Sequence, residues 1–319
     1  MRVLAAAVLV GSIALFAGRA KAAADNITIA VFTKNSTNPA YEAFRIAADQ
    51  IARSAGARIV HYVPKQPDNA DEQKAMVEQV LKDRPDAVIF IPVDDVAMIA
   101  SVARLNEAKI PVVLAANPLP GRFVTYVGAD DDEIGYRQAR YLFDKLGGKG
   151  KIVVIEGTPV APTNRERVRG YKRALAEFPG IEVLGFGIGN YQQPQAKQVM
   201  AQFLADYPQI DAVLSANDGM ALGALEALKE ANRTSVVIGI NGILPAVQAI
   251  ETGAILASVD FNMFKIGCTA TRAALRYLKG EPMPEKVMLP AEIIDQTNYR
   301  AWLVPVEQRN CPEWSEVVK

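Results

Sequence analysis

Asparagines, tyrosines and an arginine recur just after short β-branched runs, where loops are placed to hold a small polar molecule. Thr33-Lys34-Asn35-Ser36-Thr37-Asn38-Pro39-Ala40-Tyr41 is rich in amide and hydroxyl groups and ends on a ring. Thr163-Asn164-Arg165-Glu166-Arg167 brings hydroxyl, amide and guanidinium groups together. Tyr191 supplies another ring, and Asn117, Asn217 and Asn241 are amides that both donate and accept. Such groups recognise hydroxyls and C–H faces.

The chain offers little for catalysis. Its single His rules out H-E-x-x-H zinc chemistry, and no G-x-S-x-G occurs. Gly185-Phe186-Gly187-Ile188-Gly189 lacks the G-x-G-x-x-G spacing, and Gly147-Gly148-Lys149-Gly150-Lys151 runs into Ile152 where a phosphate loop needs Ser or Thr. Asp94 and Asp95 are adjacent, so their side chains diverge rather than form a dyad. Asp130-Asp131-Asp132-Glu133 reads as the acidic opening of a helix, favoured by the helix dipole, rather than as a metal cluster. No enzyme, cofactor or metal is therefore expected. His61 reads as structural.

Positioning these loops requires a scaffold, and from residue 27 short strands alternate with segments of helical period. Ile27–Phe32 reads as a first strand, and Tyr41, Phe44, Ala48, Ile51 and Ala55 then mark one face of a helix ending near Gly56. Strands follow at Ala57–Val63, Ala87–Ile91, Ile110–Leu114 and Phe123–Gly128. A second block has strands at Lys151–Ile155, Ile181–Leu184, Ala212–Ser215 and Val236–Ile240, with a helical stripe at Val168, Tyr171, Leu175 and Phe178. This is the α/β pattern of parallel sheets covered by helices, which bind ligands at the carboxyl ends of their strands.

The chain has 319 residues, enough for about two domains, with 35 basic and 35 acidic side chains. That balance argues against a polybasic nucleic-acid-binding protein. Arg2, an apolar run from Val3 to Ala17 and Ala20-Lys21-Ala22 read as a signal peptide over residues 1–22 with an A-x-A cleavage site; the alternative is a membrane anchor, for which the run is short. Export to an oxidising compartment permits a bond between Cys268 and Cys311; the alternative is two separate thiols.

Four segments in order resemble periplasmic sugar-binding proteins of the ribose-binding type. They are Asn38-Pro39-Ala40-Tyr41, the stretch from Thr163 to Tyr171, Ala216-Asn217-Asp218-Gly219-Met220-Ala221-Leu222-Gly223-Ala224-Leu225, and Val237-Ile238-Gly239-Ile240-Asn241-Gly242. The resemblance implies two Rossmann-like lobes, each a mostly parallel sheet flanked by helices, joined by a three-crossover hinge. The N-terminal lobe would comprise 23–129 and 262–290, and the C-terminal lobe 130–261 and 291–319. A monomer in the periplasm would close on a sugar or polyol and deliver it to an ABC permease and its ATPase. A sensor docking on a chemoreceptor or kinase would use the same binding chemistry. A sugar-responsive repressor would carry a DNA-binding segment where this chain has its export signal.

Carried over residue by residue, the resemblance implies ligand contacts at Asn38, Tyr41, Asn117, Arg165, Tyr191, Asn217, Asn241 and Phe261. Asp218, or Asn217, could instead cap the helix that follows. Departures matter as much. Ala116 and Asn241 stand where the family has carboxylates, Asn117 where it has an arginine, Ile91 where it has an asparagine and Phe261 where it has a glutamine. The pocket is thus less polar and not tuned to ribose. Neutral monosaccharides, deoxysugars and sugar alcohols lead as ligands; an anionic ligand such as a sugar acid is the alternative, because Arg165 lacks a counter-charge among the matched positions.

Overall fold

A computed structural model describes residues 27–318. The expected signal peptide, residues 1–22, lies outside the described residues. The first block runs β1 (Thr28–Phe32), α1 (Pro39–Ser54), β2 (Arg58–Tyr62), α2 (Ala70–Asp83), β3 (Ala87–Phe90), α3 (Ile99–Glu107), β4 (Val112–Ala115) and β5 (Thr125–Gly128). The second runs α4 (Asp131–Lys145), β6 (Lys149–Glu156), α5 (Pro162–Glu177), β7 (Gly180–Ile188), α6 (Gln193–Asp206), β8 (Ala212–Ser215), α7 (Asp218–Glu230), β9 (Val236–Ile240), α8 (Leu244–Glu251) and β10 (Ala257–Asp260). There follow α9 (Met263–Leu278), β11 (Lys286–Met288), β12 (Glu292–Ile294) and, at the end, α10 (Trp314–Val317). The sequence pattern had shown neither β10 nor β11 as strands.

The strands form two six-stranded sheets, ordered β11-β5-β4-β3-β1-β2 and β12-β10-β9-β8-β6-β7. Every pairing is parallel except β12 against β10. Strands β3, β4, β5 and β8 are buried along their whole length, as sheets covered on both faces require. Each sheet with its helices is one lobe. The chain passes between sheets after β5, after β10 and between β11 and β12.

Helix ends follow from local chemistry. The Asn38 side chain accepts from Ala40 N and Pro39 opens α1, so the helix starts directly beneath the loop that follows β1. Asp130 caps α4 by accepting from Glu133 N at 3.0 Å, with three more acids in the first turn. The α4 and α5 helices cross closely. A Cβ on Gly170 would lie 2.1 Å from Asp132 O, and one on Gly135 would lie 2.3 Å from Arg167 O. Only glycine at both points lets the start of α4 approach Arg167 on α5.

The tail departs from the expected assignment of 291–319 to the second lobe. Its Tyr299–Trp302 turn packs on α8, and Trp302 Nε1 donates to Asp260 Oδ2 at 2.9 Å. The chain then returns to the first lobe. Its Val306–Gln308 turn packs on α1, Gln50 Nε2 donates to Glu307 O, and Cys311 is bonded to Cys268 on α9 with Cα atoms 5.6 Å apart. The tail has no helical or strand period to reveal this path.

Candidate ligand-binding cleft

Between the lobes lies a cavity built from loop and helix-start residues of both. The first lobe contributes Asn38, Tyr41, Asn117 and Met263; the second contributes Thr163, Arg167, Tyr191, Asn217 and Asn241. Phe261, at a crossing between lobes, forms part of its wall. A larger groove of about 1070 Å³ adjoins it, sharing Asn38, Tyr191 and Asn217. The cavity itself is about 20 Å³, roughly the room one water needs. A molecule the size of a monosaccharide would fit there only if the lobes parted.

Several amides serve the scaffold and the cavity together. Asn217 caps α7, accepting from Met220 N at 2.8 Å, while its Nδ2 donates to Tyr191 O at 3.2 Å. Asp218 is not the cap. It is buried, accepting from Ser258 Oγ at 2.7 Å and Ile243 N at 3.0 Å, and burial pushes its carboxyl up to about 6. Asn117 Nδ2 donates to Pro92 O at 2.8 Å. Asn241 sits at φ 130° between β9 and α8.

Tyr191 is held in the left-handed region at φ 60°, and its Oη lies 3.0 Å from Thr163 Oγ1. A Cβ on Gly157 would come within 2.1 Å of the Tyr191 ring, so the glycine makes room for it. Burial pushes the Tyr191 phenol up to about 12 and holds Tyr41 well above the usual tyrosine range. Both are neutral hydroxyls at physiological pH.

Arg165 does not reach the cavity. Its Nη2 donates to Asp95 Oδ2 at 2.6 Å and its Nη1 to Val160 O at 2.7 Å, on the protein surface. The cavity arginine is Arg167. Two residues along a helix are about 200° apart, so the two arginines face opposite ways. Arg167 Nε donates to Asp131 Oδ1 at 2.8 Å and Nη1 to Ala216 O at 2.7 Å, and its Cζ lies 4.9 Å from the Phe261 ring centroid. Burial opposes this charge, but Asp131 together with Tyr191 and Tyr171 more than offsets it and holds the Arg167 pKa above the ordinary arginine value. In the same pair, burial pushes the Asp131 carboxyl up to about 6 against the pull of Arg167.

The premise of an uncompensated cation therefore fails: Asp95 pairs with Arg165, and Asp131 neutralises Arg167. Tyr41, Asn117, Asn241 and Arg167 all line the cavity, and the hydrogen bonds found for Asn117 and Arg167 use Nδ2 and Nε with Nη1, leaving Asn117 Oδ1 and Arg167 Nη2 for a ligand. Sequence reasoning missed Arg167, Asp131, Thr163 and Met263. One available signal was that Thr163, Arg167, Gly170, Tyr171 and Ala174 repeat at helical spacing and form the buried face of α5.

Residues 29–282 match the family described as a periplasmic binding protein domain. A ribose import binding protein of Bacillus subtilis is 28% identical over 270 residues, covering 84% of this chain and 87% of that protein. A xylitol-binding protein of Mycolicibacterium smegmatis is 35% identical over 185 residues, covering 57% and 53%. An ABC transporter periplasmic solute binding protein of Actinobacillus succinogenes, solved with bound D-allose, superposes with a TM-score of 0.82 at 26% identity, covering 86% of this chain and 99% of that one. A match over most of the chain, together with two α/β lobes enclosing a polar cleft, places the protein in the periplasmic binding protein domain family.

Proposed function

We propose that the protein is exported, captures a neutral sugar or polyol between its lobes and delivers it to an ABC importer. The observation that carries the neutral reading is the Arg167–Asp131 pair: the only charged side chain lining the cavity among the described residues arrives already compensated. An anionic ligand would bring a charge with no uncompensated cation among the described residues lining the cavity; the buried Lys34 stacks its Nζ on the Tyr191 ring instead, 5.7 Å from the centroid. The remaining recognition groups are phenols, amides and one guanidinium edge, which match hydroxyl groups able to donate and accept. Tyr191 and Phe261 provide ring faces for the C–H surface of such a molecule. With polar groups on both lobes, one ligand bridges them, and closure excludes water so that each hydrogen bond counts for more.

Relatives named for ribose and xylitol, and a neighbour holding D-allose, support this class of ligand. Isothermal titration of the purified protein with xylitol, D-ribose, D-allose and myo-inositol, set against gluconate and galacturonate, tests it. Heat from a neutral compound and none from the acids is expected; binding confined to the acids would overturn the proposal.

A further inference from the structure

Arg165, excluded from the cavity, joins the two lobes. Asp95 follows β3 in the first lobe and Arg165 lies on α5 in the second, with 2.6 Å between Nη2 and Oδ2. Two more polar contacts cross the same mouth: Thr37 Oγ1 donates to Gln192 Oε1 at 3.0 Å, and Thr158 Oγ1 donates to Asp68 Oδ2 at 3.4 Å. The ionic contact differs from these in one respect. Asp95 is only 17% exposed, and its Oδ1 is buried without a hydrogen-bond partner. Closing the cleft thus takes a carboxylate partly out of water and leaves Arg165 to compensate it.

We propose that Arg165 and Asp95 form a clasp that sets the balance between open and closed lobes, Arg165 acting as a positioning residue for closure rather than as a ligand contact. This rests on the reading of the cleft as a site that opens and closes. When the lobes part, both groups regain water; when they meet, the pair forms and Val160 O fixes the guanidinium from the second lobe. Without Arg165, closure would strand the Asp95 carboxylate, which disfavours the closed form more than removing both charges does.

The test needs no ligand. Spin labels at Glu107→Cys in the first lobe and Glu182→Cys in the second report interlobe distances by pulsed dipolar spectroscopy, since both native cysteines are bonded to each other. Arg165 is 46% exposed, so the expected effect is moderate: Arg165→Gln lowers the closed-to-open ratio about two- to fivefold. Arg165→Gln with Asp95→Asn recovers part of that loss. A distribution for Arg165→Gln that matches the parent, or a double variant at least as open as the single one, overturns the clasp. The sugar reading fails separately, if no neutral monosaccharide or polyol shifts the parent protein toward the short distance.

Discussion

Replacing Arg167 with methionine removes the cation from a pair whose side chains are 3% and 6% exposed and leaves Asp131 buried between α4 and α5. Breaking such a pair from one side costs about 3–5 kcal/mol, because the remaining charge loses its partner without regaining water. Burial pushes the Asp131 carboxyl up to about 6 in the folded protein, from an ordinary value of 3.8. Without Arg167, which pulls that value down, it rises further. Between about pH 4 and the new folded pKa the variant's native state holds more protons than its unfolded state, so its stability falls as pH rises through that window. The deficit relative to the parent is therefore greatest at pH 8 and shrinks at pH 5, by about 1.4 kcal/mol for each further unit of pKa rise. Urea unfolding followed by circular dichroism at the two pH values measures it, and Arg167→Met with Asp131→Asn should recover part of the loss at pH 8. Equal deficits at both pH values, or a loss below about 1 kcal/mol, would refute the account of a buried, mutually dependent pair.

Three further outcomes follow from the same geometry. Cys311→Ser opens a bond that closes a 43-residue separation, and the chain-entropy relation puts its contribution at up to about 4 kcal/mol; calorimetry showing a change below about 1 kcal/mol would contradict that. Gly157→Ala pushes the Tyr191 ring aside and should weaken ligand binding about tenfold or more, read by titration calorimetry, whereas unchanged affinity would mean the ring does not shape the site. Asn217→Ala should cost about 1 kcal/mol through the lost α7 cap and weaken binding as well. Asn217→Asp keeps the cap acceptor but loses the donor to Tyr191 O, so it should restore thermal stability and not affinity; recovery of both would remove Tyr191 anchoring from the account.

How much could be read from the sequence depended on what fixed each feature. The central strands showed themselves because parallel strands buried on both faces must be apolar throughout, as in Ala87–Phe90 and Ala212–Ser215. Short strands such as Lys286–Met288 exist only because β5 offers them an edge, and three residues carry no period. Within the cleft, Asn38, Tyr41, Asn117, Tyr191, Asn217, Asn241 and Phe261 converge because each sits at or near a strand end or helix start facing the other lobe. Arg165 and Arg167 were indistinguishable by type. Which of them turns inward depends on α5 beginning at Pro162 and on the glycines that let α4 press against it. Asp131 was likewise hidden among four consecutive acids, one capping α4, one pairing with Arg167 and two meeting Arg173 at the surface.

The central claim, a cleft built for a neutral polyhydroxy molecule, is tested most directly by thermal unfolding of the purified protein against a panel of pentoses, hexoses, deoxysugars, polyols and sugar acids. A true ligand at ~100 times its Kd adds about 2.7 kcal/mol and raises the midpoint by several degrees. The account predicts such a shift with one or more neutral compounds, sharply reduced in Asn217→Asp, and none with the acids. A shift produced by acids alone would contradict it.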